Sequence, residues 1–192
     1  MTRQNTAIAP VLLISPDGML GRAWERLLRA RAIESAAVAY PEIDLRDPAS
    51  IERHLTSRYA TVINCSAFTD VDGAEVREAE ATEVNGSGVA RLAERCRAVS
   101  ALLVHYSTDY VFDGSASRPY AVTEPRRPQT AYGRSKAIGE EAIEASGAAY
   151  LVIRTSWLYA PWGKNFVDTI AKAGAERPVL TVVDDQRGRP TS

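Results

Sequence analysis

Two cysteines and two histidines in 192 residues leave little material for a disulfide framework or a metal centre. Cys65 and Cys96 stand far apart, neither falls in a metal-ligand spacing, and reduced thiols with no metal are expected. His54 sits in a helical pattern and His105 inside an apolar strand pattern, so both read as structural. No apolar run approaches the ~20 residues of a membrane helix, and the opening "MTRQNTAIAP" lacks the apolar stretch of a secretion signal. A cytoplasmic location with no membrane partner is expected. Charge of one sign is also missing: 23 basic side chains face 24 acidic ones for a net charge of −1, which leaves no basic footprint for nucleic acid. Internal repeats and low-complexity segments are absent as well.

The chain does have enough apolar residues, 45%, to build the core of one full-sized domain. Short apolar runs alternate with helical patterns throughout. The predicted strands are "VLLIS" (11–15), "SAAVAY" (35–40), "ATVINCS" (60–66), "ALLVHYS" (101–107), "AYLVIRTS" (149–156) and "PVLTVV" (178–183). Most are continuous rather than alternating, as a sheet covered on both faces requires. Between them, apolar residues recur at helical spacing: Leu20, Trp24, Leu27 and Leu28; Ile51, Leu55 and Tyr59; Val89, Leu92, Ala93 and Cys96; Tyr132, Gly139 and Ile143; Phe166, Ile170 and Gly174. Asp47-Pro48 has the form of a cap followed by proline in the first helical turn, and Thr130 is placed to cap the helix after it. This alternation predicts an α/β fold, a doubly wound parallel sheet of Rossmann-like, NAD(P)-binding type, in the strand order 3-2-1-4-5-6. Residues 113–130 form the one long loop.

Ligands of such sheets bind at the carboxyl ends of the strands, where strand order reverses. After the first strand, "SPDGMLG" (15–21) enters a helix whose free N–H groups suit a pyrophosphate, with Gly18 and Gly21 allowing close approach. Ser15 stands where a dinucleotide turn usually begins with glycine, so this turn taken alone is equally an ordinary strand-to-helix connection. The second strand leads into "AYPEID" without an acid at its tip or an arginine for a 2′-phosphate, and the choice between NADH and NADPH stays open.

The fourth strand runs into "STDYVFDG", with Thr108 at its carboxyl end. Tyr132 and Lys136 lie four residues apart in "TAYGRSK", on one face of a predicted helix. A tyrosine acting near neutrality needs its pKa, ordinarily near ~10, brought down by about three units, or about 4 kcal/mol. An ammonium ~4 Å away at an effective dielectric of ~20 supplies roughly that much. A solitary tyrosine-lysine pair at this spacing is nonetheless common by chance.

The surrounding segments supply the context. "VINCSAFTDVDGAE" (62–75), "VN" (84–85), "HYSTDYVFDG" (105–114), "PY" (119–120), "TAYGRSKAIGE" (130–140), "IRTSWLY" (153–159), "NFV" (165–167) and "DQRGRPT" (185–191) follow one another across nearly the whole chain. In this order the sequence resembles the extended short-chain dehydrogenase/reductases, and within them the dTDP-4-dehydrorhamnose reductases of dTDP-L-rhamnose synthesis. The resemblance implies reduction of the C4 keto group of dTDP-4-dehydro-L-rhamnose with NADPH or NADH. By the same resemblance Thr108, Tyr132 and Lys136 are catalytic: Thr108 binds the carbonyl, Tyr132 donates the proton, and Lys136 holds the nicotinamide ribose and lowers the tyrosine's pKa. Cofactor contacts carried over are Ser15, Gly18, Met19, Leu20, Gly21, Asp44, Leu45, Cys65, Ser66 and Ala67, together with Tyr132 and Lys136. Thr69, Val71, Thr108, Tyr110 and Trp157 are carried over as sugar contacts. Family members often pair through two helices, here near 73–98 and 130–146, so a homodimer is the expected assembly.

Two departures qualify the resemblance. Ser15 replaces the first glycine of the phosphate turn. The chain also stops at "RGRPTS", where the family continues into a smaller substrate lobe, so residues 1–192 read as an NAD(P)-binding domain with catalytic Thr, Tyr and Lys and most of that lobe missing. Weak NAD(P)H binding and slow or no turnover by this piece are expected. A sugar-nucleotide dehydratase is disfavoured because Thr108-Asp109-Tyr110 lacks the glutamate such enzymes place there. An epimerase, or a non-catalytic subunit like the regulatory subunit of methionine adenosyltransferase, remains open.

Overall fold

Four strongly apolar residues in a row have no polar face to offer water, and the chain buries them between two helical layers. The structure, a computed structural model, describes residues 8–192. Its strands are β1 (Val11–Ile14), β2 (Ser35–Val38), β3 (Thr61–Asn64), β4 (Leu102–Thr108) and β5 (Tyr150–Thr155). All pair in parallel in the order β2-β1-β3-β4-β5. The helices are α1 (Met19–Ala30), α2 (Pro48–His54), α3 (Val71–Ala74), α4 (Glu78–Thr82), α5 (Gly88–Ala98), α6 (Ala131–Ala145) and α7 (Phe166–Glu176). A π-helical turn, Glu83–Ser87, joins α4 to α5. None of these helices is long and apolar enough to cross a membrane.

Successive residues of a strand face opposite sides, so β1 feeds two cores. Leu12 and Ile14 join Val62, Leu103, Ile51, Leu92, Cys96 and Ile143 on the face covered by α2, α5 and α6. Val11 and Leu13 join Ile63, Val104 and Leu28 on the face covered by α1. With helices on both faces, the sheet is doubly wound, as the sequence predicts. Both expected caps form: Asp47 accepts from the Ala49 N–H ahead of Pro48, and Thr130 accepts from the Gly133 N–H.

Three expectations are corrected. The strand order differs from 3-2-1-4-5-6, because β3 lies between β1 and β4 while β2 takes the edge. Burial explains this: every residue of β3 is buried, whereas two of the four in β2 are exposed, and strands apolar on both sides need neighbours on both sides. "PVLTVV" forms no strand. Val179, Val182 and Val183 are exposed there, since strand-forming side chains hold an extended ladder only beside a partner. The Phe166, Ile170 and Gly174 stripe does lie on a helix, but α7 buries none of its residues. Tyr150 and Leu151 of the edge strand β5 are likewise exposed.

Candidate active site

Strand order reverses between β2 and β3 on either side of β1, and the carboxyl ends of β1, β3 and β4 open at that reversal. Ser15 follows β1 with φ at +59°, a left-handed conformation that favours glycine and explains why glycine is usual there. Gly21 is required by contact: a Cβ on it would run into the Ser15 carbonyl and the Pro16 Cα. At Gly18 a Cβ would meet only the Ser15 oxygen at 3.8 Å, so the mouth of the turn is open. No side chain caps α1 and no acid occupies its first turn, which leaves the first N–H groups without a capping side chain at the positive end of the helix. A pyrophosphate fits this arrangement.

Asp44 and Leu45 lie in the connection between β2 and α2. The Asp44 carboxylate is clasped by Arg46 at 2.8–3.1 Å, and this contact, opposed by partial burial, holds its pKa below the ordinary value. Leu45 is buried in the core against Gly88. After β3, Ser66 donates to the Asn64 side-chain oxygen through both its N–H at 3.0 Å and its hydroxyl at 2.6 Å. Burial pushes the Cys65 thiol up to about 12, so it is an inert lining group. Ala67 is half-buried, and the following residue, Phe68, exchanges two hydrogen bonds with Asn85.

Asn85 makes a connection that sequence reasoning matched as part of "VN" (84–85) without assigning a role. It is buried in the π-helical turn, and beyond Phe68 it donates to Ser135 Oγ at 3.0 Å. One side chain thereby ties the loop after β3 to α6, which carries Tyr132 and Lys136. The widened turn is the clue, since π-helical turns inside helices concentrate at functional sites.

Thr108 closes β4, accepting from the Tyr110 N–H at 3.2 Å and donating to Asp109. The Tyr110 and Tyr132 rings meet edge to face with centroids 5.7 Å apart. Burial pushes the Tyr132 phenol up to about 12, opposed by the Thr108 hydroxyl and reinforced by Asp109 and Tyr110. Lys136 lies on the same helix, buried to 2% exposure. Its Nζ donates to the Tyr106 carbonyl at 2.7 Å and lies 3.3 Å from His105 Nε2. The expected lowering of the tyrosine by the lysine is therefore not seen: the amine is engaged against β4, and burial governs the phenol. Burial also lowers Lys136 itself to about 8. Of the expected sugar contacts, Val71 and Tyr110 are half-buried while Thr69 and Trp157 are exposed. Trp157 has φ at +48°, unusual for a bulky residue, and its segment pairs with Thr191.

A doubly wound parallel sheet with an anion-ready turn at the reversal, and Thr, Tyr and Lys gathered at β4, defines the class of Rossmann-like nucleotide-binding folds. The chain belongs to the RmlD substrate binding domain family, whose model matches residues 9–192. It is similar to the dTDP-4-dehydrorhamnose reductase of Streptomyces griseus, 42% identical over 182 residues, which cover 94% of this chain and 60% of that protein. Among solved structures, a dTDP-4-dehydrorhamnose reductase from Clostridium acetobutylicum superposes with a TM-score of 0.90 at 35% identity, covering 94% of this chain and 65% of that one. The dTDP-4-dehydrorhamnose reductase of Bacillus anthracis, in complex with NADP, superposes with a TM-score of 0.83 at 32% identity, covering 87% of this chain and 60% of that one. The chain thus spans about three fifths of the length of the curated relatives it matches.

Proposed function

We propose that residues 1–192 form the NAD(P)-binding, catalytic domain of a dTDP-4-dehydrorhamnose reductase, which reduces the C4 keto group of dTDP-4-dehydro-L-rhamnose. The observation that carries this reading is the gathering of the Thr108 hydroxyl, the Tyr132 phenol and the Lys136 amine along β4, beside the strand-order reversal. The similarity to reductases of that name supports it. NADPH or NADH supplies the hydride when bound. Gly18, Met19, Leu20 and Gly21 would hold its pyrophosphate, and Cys65, Ser66 and Ala67 would line its path.

The side chains divide the remaining work. Thr108 offers a hydroxyl to the ketone oxygen. Tyr132, with its pKa pushed up to about 12, stays fully protonated at neutral pH and is a proton donor to that oxygen. Lys136 is the cation available to offset the charge the phenol acquires as it gives up its proton. Thr69, Val71, Tyr110 and Trp157 flank the place where the sugar would sit. A cytoplasmic location and pairing through the helical segments near 73–98 and 130–146 complete the reading.

The test is direct. NADPH fluorescence titration of the 192-residue chain measures cofactor binding, and loss of nicotinamide absorbance on adding the dTDP-sugar measures reduction. Binding that weakens on Gly18→Asp supports the placement of the turn. Sugar-dependent oxidation of NADPH, in this chain or in a longer form carrying the same residues, supports the reaction. If a longer form binds NADPH but oxidises none of it with this sugar, the substrate assignment is wrong.

A further inference from the structure

Asn64 and His105, to which the proposed reaction gives no role, form a chain of contacts with Lys136. Asn64 and His105 are register partners on β3 and β4, and Asn64 Nδ2 lies 3.1 Å from His105 Nδ1. On the other side of the ring, His105 Nε2 lies 3.3 Å from Lys136 Nζ. All three residues are buried to 2% exposure or less.

The direction of these hydrogen bonds can be worked out. The Ser66 N–H can only donate, and it points at the Asn64 side-chain atom also reached by the Ser66 hydroxyl, so that atom is the oxygen. The Asn64 amide nitrogen therefore faces His105 and donates to Nδ1. A neutral imidazole accepting at Nδ1 carries its proton on Nε2 and presents it to Lys136. Burial is the main cause that keeps His105 neutral, and a charge on Lys136, whenever present, acts in the same direction. An ammonium has no lone pair to receive that proton, whereas an amine does, and the amine still donates to the Tyr106 carbonyl.

We infer that Asn64 and His105 are positioning residues that bias Lys136 toward the neutral amine and couple its protonation to the imidazole tautomer. Charging Lys136 requires the proton of His105 to move to Nδ1 and the Asn64 amide to turn, at the expense of the Ser66 N–H bond. Of the other groups facing the amine, Glu140 favours its charged form, in opposition to burial. Glu140, one turn further along α6, is held by Arg126 and Arg154, and Tyr132, one turn before, is neutral. The functional meaning rests on the reductase reading, in which Lys136 acts as a cation, so that this coupling sets the pH at which the cation is lost.

The test is spectroscopic and independent of turnover. The chain has two histidines and three lysines, so long-range ¹⁵N correlations of the rings and ¹³Cε shifts of the lysines are resolvable. Above the Lys136 midpoint His105 is expected as the Nε2–H tautomer, and it is expected to switch to Nδ1–H with that same midpoint as the amine protonates. Asn64→Asp keeps the oxygen toward Ser66 but accepts from Nδ1–H, so it is expected to fix the Nδ1–H tautomer and raise the Lys136 midpoint by at least one pH unit. If Asn64→Asp does not fold, His105→Gln serves, since its amide can turn an oxygen to the ammonium and raise the same midpoint. A tautomer that stays constant through the lysine titration, or a midpoint unmoved in the folded variant, overturns the inference. Either result leaves the reductase reading standing, because that reading depends on cofactor oxidation.

Discussion

Tyr132 and Lys136 stand one turn apart on α6, yet they reach β4 at different levels: the phenol beside Thr108, the amine at His105 and the Tyr106 carbonyl. Shared helical phase brings both to one strand without making them a bonded pair. Their pKa values consequently respond to burial first, rising for the phenol and falling for the amine.

This separation sets the pH dependence of the proposed reaction. A phenol at about 12 remains protonated through the whole neutral and mildly alkaline range. Activity is therefore expected to fall on the alkaline side near pH 8, where Lys136 loses its charge, well before the tyrosine ionises. Tyr132→Phe is expected to lower turnover by about 10²–10⁴-fold, the usual contribution of a positioned proton donor, while leaving NADPH affinity within a few-fold. Steady-state kinetics beside a fluorescence titration separate the two effects. Unchanged turnover in the phenylalanine variant would remove Tyr132 from the mechanism.

Burying Lys136 has a cost that should be measurable as stability. The amine titrates near 8 in the fold against ~10.4 in an unfolded chain, so the unfolded state binds more protons between those values. Stability is expected to rise with pH across that window. Lys136→Met removes the slope and is expected to stabilise the fold at neutral pH by about 1–2 kcal/mol, after allowance for the Tyr106 carbonyl left without its donor. Urea unfolding at pH 7 and pH 10 checks both statements; a destabilised methionine variant would mean that the lysine's contacts outweigh its desolvation.

How much of this was legible beforehand depended on whether the signal was local. Continuous apolar runs identified all five strands, and Asp47-Pro48 and Thr130 marked two helix starts, because such features depend on neighbours in sequence. Strand order was misread, although the smaller, more polar "SAAV" already suited an edge better than "TVIN". "PVLTVV" was misread for a related reason: its residues favour a strand, but only a partner strand makes one. In the site, helical spacing placed Tyr132 and Lys136 on one face. It could not show that Lys136 Nζ would be taken up by His105, a residue read as structural, or that Asn85 would bind both Phe68 and Ser135.

Ser15 offers a test of the phosphate turn. A non-glycine residue at φ +59° is strained, and Ser15→Gly is expected to raise stability by up to about 1 kcal/mol despite the greater freedom glycine gives the unfolded chain. The added room at the mouth of the turn is expected to leave NADPH binding equal or tighter. Gly21→Ala is expected to do the opposite, because its Cβ meets backbone rather than a movable side chain. Thermal unfolding of the two variants side by side checks the contrast; equal melting temperatures would show that the turn relaxes freely.

Glu140 is the fold's most committed charge. Its side chain is 1% exposed and takes 2.6 Å contacts from Arg126 and from Arg154, with a second Arg154 contact at 2.9 Å, while Arg126 also reaches Glu144. Burial alone would raise its pKa; the two guanidinium groups outweigh burial and hold it below the ordinary glutamate value. A carboxylate depressed in the fold contributes stability that is present above the unfolded pKa of ~4.3 and lost as pH falls through the lower folded value. Glu140→Gln keeps the shape but leaves two largely covered guanidinium groups without their counter-charge, at an expected cost of about 3–5 kcal/mol at pH 7. Because the buried carboxylate also fixes β5 and the 113–130 loop against α6, amide exchange in those segments is expected to accelerate in the same variant. A loss below ~1 kcal/mol with exchange unchanged would mean that the arginines turn to solvent and that the network holds nothing together.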